Sequence, residues 1–333
     1  MADERPGPPA GPRTSRRGAK IAVCGAGSVG STVAYAALLR GLAGEIVLYD
    51  IASTLVEAQA HDLNDGAAFA SPTTIVGSDD PAACAGADLV VMTAGARQKP
   101  GQTRLDLAGV NVGITRDVLG AVREVAPDAV YVLVTNPCDV LTYAAIGFLD
   151  LPPGRVFGSG TVLDTARLRY LLSRRLAVSP RSVHAAVAGE HGDSEIVLWS
   201  SANIGGVPIA EYDLEGRSLD PSEYAAIRET VAGSAYKVIE GKGATNFAIG
   251  LAAADIMSAV LRDEHRFLPV STLFTGQYGI DDVCLSAPCV VSASGVAGPA
   301  ELPLDETDLA GLRSSAATLR SQIDSLGLAS PVF

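Results

Sequence analysis

The sequence has no Cys-X-X-Cys pair and no group of His and Cys at zinc-ligand spacing, which argues against a thiolate metal site and a dithiol redox motif. Its five cysteines (Cys24, Cys84, Cys138, Cys284 and Cys289) are an odd number scattered over 333 residues. They read as reduced thiols in a cytoplasmic protein, serving as small apolar side chains, and no metal is expected. Basic residues are scarce: 25 Lys and Arg against 37 Asp and Glu leave a formal net charge of −12. Such an acidic surface repels phosphate backbones and argues against nucleic acid as a partner. Charged residues make up only 19% beside 48% hydrophobic ones, so apolar material suffices to offset the entropy of folding, and wholesale disorder is excluded. There are no internal repeats and no collagen-like glycine period.

One uncharged stretch, residues 21–39, has the length of a membrane span, and Arg16-Arg17 just before it imitates an export signal. Gly25, Gly27, Gly30, Ser28, Ser31 and Thr32 would make it a poor span, and the soluble reading uses every one of those glycines. No membrane association is expected.

The length suggests about two domains. Residues 1–20 carry Pro6, Pro8, Pro9, Pro12 and seven charged side chains, and read as a disordered tail. From there to about residue 160, short Val- and Ile-rich runs (21–24, 45–49, 89–93, 130–135) alternate with helix-like segments (31–40, 54–64, 106–125). Runs of this kind are strands buried on both faces, and the alternation predicts a doubly wound parallel α/β sheet over residues 21–160. Residues 161–333 read as a second, mixed α+β domain: helices over 162–176, 221–240, 246–261 and 307–325, with strand-like segments in 184–199, 267–274 and 283–292.

Gly25-Ala26-Gly27-Ser28-Val29-Gly30 closes the first strand and opens a helix, where backbone N–H groups can meet a pyrophosphate. Asp50 ends the next strand twenty residues after Gly30. A carboxylate there accepts from both ribose hydroxyls of NAD and repels the extra phosphate of NADP, so NAD is the expected cofactor. A second glycine turn, with Gly95 and Ala96, ends a later strand on the same sheet edge, where the nicotinamide half would lie.

His191 sits in Gly189-Glu190-His191-Gly192-Asp193-Ser194, on a loop where packing gives it little reason to be. Reduction of a carbonyl leaves an alkoxide that needs a proton, and an imidazole suits that role. Asp164 and Arg167 lie at i and i+3 on one helix, either as a simple ion pair or with divided roles. In the second case Asp164 orients His191, and Arg167 forks onto a substrate carboxylate. The segment from Gln98 to Arg104 has the composition of a lid that would bring Arg104 onto the substrate carbonyl, with Asn136 as a further donor.

These motifs (residues 25–30, 94–107, 135–139, 158–169, 189–194 with Trp199, and 242–245) resemble the NAD-dependent L-lactate and L-malate dehydrogenases. The likeness runs in order from residue 21 to about 330 and is greatest to the bacterial L-lactate branch that fructose bisphosphate activates. It implies a Rossmann domain followed by a mixed α+β catalytic domain. It further implies that His191 is the proton donor and acceptor, Asp164 its partner, Arg167 the carboxylate anchor and Arg104 the lid arginine. Gln98, Asn136 and Thr245 would contact substrate, and Val29, Val134 and Asn136 would join Gly25, Gly27, Gly30, Asp50, Gly95 and Ala96 around the cofactor. In the malate branch an arginine precedes Lys-Pro-Gly; here Gln98 stands there, pointing to pyruvate and L-lactate, with malate or a branched 2-hydroxy acid as alternatives. Arg169 and His184 occupy the effector positions of the activated branch, which implies a fructose bisphosphate site between subunits of a homotetramer.

Overall fold

In the computed structural model the described residues are 18–96 and 104–331. The N-terminal half alternates strand and helix: β1 (Lys20–Cys24), α1 (Ser28–Arg40), β2 (Glu45–Tyr49), α2 (Ser53–Asp65), β3 (Thr74–Ser78), β4 (Leu89–Met92), α3 (Arg104–Val125), β5 (Val130–Leu133), α4 (Cys138–Leu149) and β6 (Val156–Gly158). Then come α5 (Val162–Leu176) and five two-residue strands, β7 (Val183–His184), β8 (Val187–Ala188), β9 (Ile196–Val197), β10 (Asn203–Ile204) and β11 (Val207–Pro208). The chain closes with α6 (Tyr224–Lys242), α7 (Phe247–Leu261), β12 (Arg266–Thr275), β13 (Asp281–Ser292), β14 (Gly295–Pro299) and α8 (Glu306–Ser325).

β1 to β6 form a parallel sheet in the order 3-2-1-4-5-6. Successive residues of a strand face opposite sides, and here both sides are covered. Ile21 and Val23 of β1 pack with Leu38, Ile256 and Met257, whereas Ala22 and Cys24 pack with Met92, Leu119 and Leu141 on the other face. Each such fully buried aliphatic side chain contributes about 1.5–3 kcal/mol. The strand order reverses between β1 and β4, and a crevice opens there at the carboxyl ends of the strands, where open α/β sheets bind ligands.

One expectation needs correction. The folded chain starts before residue 21: Ala19 is 2% exposed and its carbonyl accepts from Gly44 N and Glu45 N, and Lys20 opens β1 and pairs with Glu45 in the β1–β2 ladder. Residues 1–17 lie outside the described residues. The second half builds two small antiparallel sheets, β11-β10-β7 and β8-β9, and also adds to the first sheet. β12, β13 and β14 extend the first one antiparallel, through Ser271 opposite Gly158 of β6, into nine strands. The uncharged stretch 21–39 divides into β1, a glycine turn and α1, and among the described residues no helix is long and apolar enough to cross a membrane.

Candidate active site

The crevice begins at the glycine turn. Gly25 has φ +108°, open to glycine without strain, and a Cβ there would meet Ala94 N at 2.6 Å. A Cβ on Gly30 would come 1.8 Å from the Gly25 carbonyl oxygen, so only glycine lets α1 start this close beneath the turn. Gly27, by contrast, faces open space. Gly25, Gly27, Asp50, Gly95 and Ala96 together line a cavity of about 300 Å³ with Ile51, Ile114 and Val118. Asp50 accepts from Ala26 N at 2.7 Å and Ala52 N at 3.0 Å, which fixes its carboxylate at the end of β2. Val29 packs toward the core, Gly30 lies beneath the turn, and Val134 is buried with its N–H bonded to Met92 O; these three do not line the cavity.

That arrangement fits a dinucleotide: an open glycine turn at a helix N-terminus presents unpaired N–H groups to a diphosphate, and a fixed carboxylate stands where a ribose would lie.

A second cluster is built on α5. Asp164, 2% exposed, accepts from Arg167 Nη1 at 2.7 Å through Oδ1 and lies 2.6 Å from His191 Nδ1 through Oδ2. The Asp164 carboxylate therefore makes the ion pair with Arg167 and also holds the His191 ring, one oxygen for each partner. α5 is braced against the strand that leads to the histidine loop: Thr161 Oγ1 donates to Val187 O at 2.6 Å, and Val187 N donates to Thr165 Oγ1 at 2.9 Å.

The histidine loop hangs from three elements. Gly189 exchanges backbone hydrogen bonds of 2.8 Å with Ser286 of β13. Glu190 N donates to Ser315 Oγ on α8 at 2.8 Å, and His191 N donates to Asp139 Oδ2 at the start of α4 at 2.7 Å. Burial pulls the His191 pKa down, but Asp164 more than reverses this, and the imidazole is held protonated up to about 9. Burial likewise pushes Asp164 up, yet His191 and Arg167 leave it below the ordinary carboxylate range. Two further buried carboxyls crowd the cluster. Asp139 is pushed up to about 6, chiefly by burial, and Glu195 to about 8 by burial and the nearby Asp164 charge.

Asn136 follows β5, exposed, its carbonyl accepting from Asn111 Nδ2 at 2.8 Å. Thr245 is half-buried on the α6–α7 loop and shares no hydrogen bond with the His191 cluster among the described residues. Arg104 opens α3; Gln98 lies outside the described residues. Arg169 donates through Nε to the carbonyl of Ala185, the neighbour of exposed His184, and lines a cavity of about 400 Å³ with Arg40, Arg181 and Arg266. His184 is not among that cavity's walls.

Sequence reasoning missed Asn111, Asp139, Glu195 and Ser315. Asp139 stood inside a quoted motif, where a carboxylate one residue into an apolar helix was the available signal. Asn111 and Ser315 carry no local signal, since their partners lie 15 to 125 residues away, and Glu195 shows itself only through its burial.

A dinucleotide crevice together with a buried Asp–His pair and an arginine is what an NAD-dependent oxidoreductase needs. Family comparison agrees: the lactate/malate dehydrogenase NAD binding domain matches residues 19–158, and the alpha/beta C-terminal domain of the same family matches residues 161–327. The chain is 49% identical over 310 residues to an L-lactate dehydrogenase of Bifidobacterium animalis subsp. lactis, covering 92% of this chain and 97% of the relative. It is 44% identical to one of Thermoanaerobacter sp. over 93% and 99% of the two chains. The solved structure of a minor L-lactate dehydrogenase from Enterococcus mundtii in its ligands-bound form superimposes with a TM-score of 0.89 at 39% identity, covering 92% and 98%. The protein belongs to the lactate/malate dehydrogenase family.

Proposed function

We propose that the protein is an L-lactate dehydrogenase that reversibly reduces pyruvate to L-lactate with NADH. The observation that carries this reading is the Arg167–Asp164–His191 chain, at 2.7 and 2.6 Å, beside a dinucleotide crevice. Arg167 spends one N–H on Asp164, and its guanidinium retains donors to fork onto the substrate carboxylate. His191 stands protonated at neutral pH and gives its proton to the carbonyl oxygen as the alkoxide forms. Asp164 holds the ring in place and favours its charged form. Asn136 and Thr245 contact substrate, and Arg104 polarises the carbonyl, by resemblance to the family. NADH held along Gly25, Gly27 and Asp50 supplies the hydride.

Neutral Gln98 supports pyruvate over oxaloacetate, as does the agreement of relatives whose names are L-lactate dehydrogenase. The reading includes activation by fructose bisphosphate through Arg169 and His184; for Arg169 it is supported by the arginine-lined cavity, where phosphate groups would find guanidinium partners, and for His184 by the resemblance alone. It also includes a homotetramer and a cytoplasmic setting. Support comes from large apolar side chains exposed on four helices, Leu39, Leu55, Tyr170 and Leu251, and from five buried free thiols.

NADH absorbance followed with pyruvate, oxaloacetate or a branched 2-oxo acid, with and without fructose bisphosphate, tests all of this. Pyruvate turnover that rises with the effector is the expected result. Preference for oxaloacetate assigns the malate branch instead, and an unchanged rate removes the effector site. Light scattering on the eluted enzyme counts the subunits.

A further inference from the structure

The β4–β5 ladder stops at Met92 and Leu133, yet the two loops that follow must stay together, since one lines the cofactor crevice and the other carries Asn136. Thr135 Oγ1 donates to Ala94 O at 2.8 Å and continues the pairing one step. The next step is made by a single side chain from α3. Asn111, 2% exposed, accepts from Ala96 N through Oδ1 at 2.8 Å and donates through Nδ2 to Asn136 O at 2.8 Å. Gly95 makes room for it: a Cβ there would lie 2.5 Å from Thr135 Cγ2 and 3.3 Å from Asn111 Oδ1.

We propose that Asn111 is a positioning residue that sets the spacing between the Gly95-Ala96 wall of the cofactor crevice and the substrate-facing Asn136. Only a carboxamide serves here. Ala96 presents an N–H and needs an acceptor, while Asn136 presents a carbonyl and needs a donor, which also fixes the orientation of the amide. An aspartate matches the first need and opposes the second. A serine is too short to meet both. The proposal rests on the reading of the crevice and Asn136 given above.

The test measures three quantities on Asn111→Asp, Asn111→Ser and the unmodified enzyme: NADH affinity by fluorescence, kcat/KM for pyruvate per NADH-binding site, and Tm. In Asn111→Asp, kcat/KM for pyruvate falls by about tenfold or more, the scale of one buried hydrogen bond left unmade, while NADH affinity changes little because the Ala96 contact survives. In Asn111→Ser both contacts are lost, and NADH affinity weakens as well. A lower Tm with kcat/KM and NADH affinity unchanged in both variants marks Asn111 as merely structural and overturns the proposal. If Asn111→Asp does not fold, Asn111→Ser decides on the same two readouts. Normal NADH binding without pyruvate turnover in the unmodified enzyme overturns the substrate reading, whereas the NADH affinity of Asn111→Ser still reports on the spacing of the crevice.

Discussion

His191 Nδ1 lies 2.6 Å from Asp164 Oδ2, and this contact decides the charge of the imidazole. Burial alone disfavours the cation and pulls the ring below its ordinary pKa; Asp164 reverses the balance and sustains the proton up to about 9.

Asp164→Asn removes the carboxylate that does most to oppose burial and leaves only the weaker pull of Asp139 and Glu195, so the His191 pKa falls from about 9. If His191 is the proton donor, as proposed, pyruvate reduction needs the protonated ring, and its kcat/KM in the unmodified enzyme declines as pH rises through about 9. Lactate oxidation needs the neutral ring and gains over the same range. In the variant the reductive limb moves to lower pH, with a loss of about tenfold or more at pH 8. A pH–rate profile unmoved by the substitution removes Asp164 from this role. The stability sign follows the same raised pKa: the pair's contribution is full below about 6.5 and is lost as pH climbs through about 9.

Glu195 is 2% exposed and Oε1 has no hydrogen-bond partner among the described residues. Burial and the Asp164 charge raise it to about 8. A carboxyl that binds its proton more tightly when folded costs stability as pH rises from its unfolded value near 4.5 to about 8, and the whole cost is present beyond that. Glu195→Gln keeps the shape and cannot ionise. Its Tm exceeds that of the unmodified protein at pH 9 and the difference closes toward pH 5. An equal Tm difference at both pH values shows that Glu195 does not titrate in this range.

The contrast between such residues shows where the sequence is informative. Gly25, Gly30 and Asp50 are legible because the constraint is local: a tight turn, a close backbone approach and a fixed distance to the next strand. Asp164 and Arg167 are legible as neighbours on α5, but that His191 joins them depends on Thr161 and Thr165 holding β8, a contact no spacing encodes. α4 was overlooked because it is buried on nearly every side and shows little of the 3.6-residue alternation that marks a surface helix. β6 was overlooked because it has three residues. The continuation of the sheet into β12 rests on a single opposed pair, Ser271 and Gly158, and is likewise invisible locally.

Gly30→Ala tests the crevice directly. The added carbon would stand 1.8 Å from the Gly25 carbonyl oxygen and 2.7 Å from Thr93 Oγ1, so the turn must move away from α1. NADH affinity falls by at least about tenfold, because the N–H groups that meet the diphosphate shift with it. Gly27→Ala meets nothing within 4 Å in the protein itself, so folding is unaffected and any loss of NADH affinity comes from crowding the ligand. Calorimetric titration of both variants separates the two causes. Equal, unaltered affinities place the dinucleotide elsewhere.

Gln98 offers the sharpest test of substrate choice, because a single charge distinguishes pyruvate from oxaloacetate. An arginine in the malate branch supplies the opposite charge for the second carboxylate, whereas a neutral amide at position 98 supplies none. A pair of unit charges 4 Å apart is worth about 4 kcal/mol at an effective dielectric of 20. Realised in the transition state, that is about a thousandfold in kcat/KM. Gln98→Arg therefore shifts the oxaloacetate-to-pyruvate ratio of kcat/KM upward by up to about a thousandfold, and part of the gain fades at high ionic strength as the new pair is screened. Pyruvate turnover falls in the same variant, since the new cation has no carboxylate to meet and must be desolvated without a partner. Steady-state kinetics with both substrates at low and high salt measure this. A ratio that stays put in both conditions moves the determinant of specificity away from position 98.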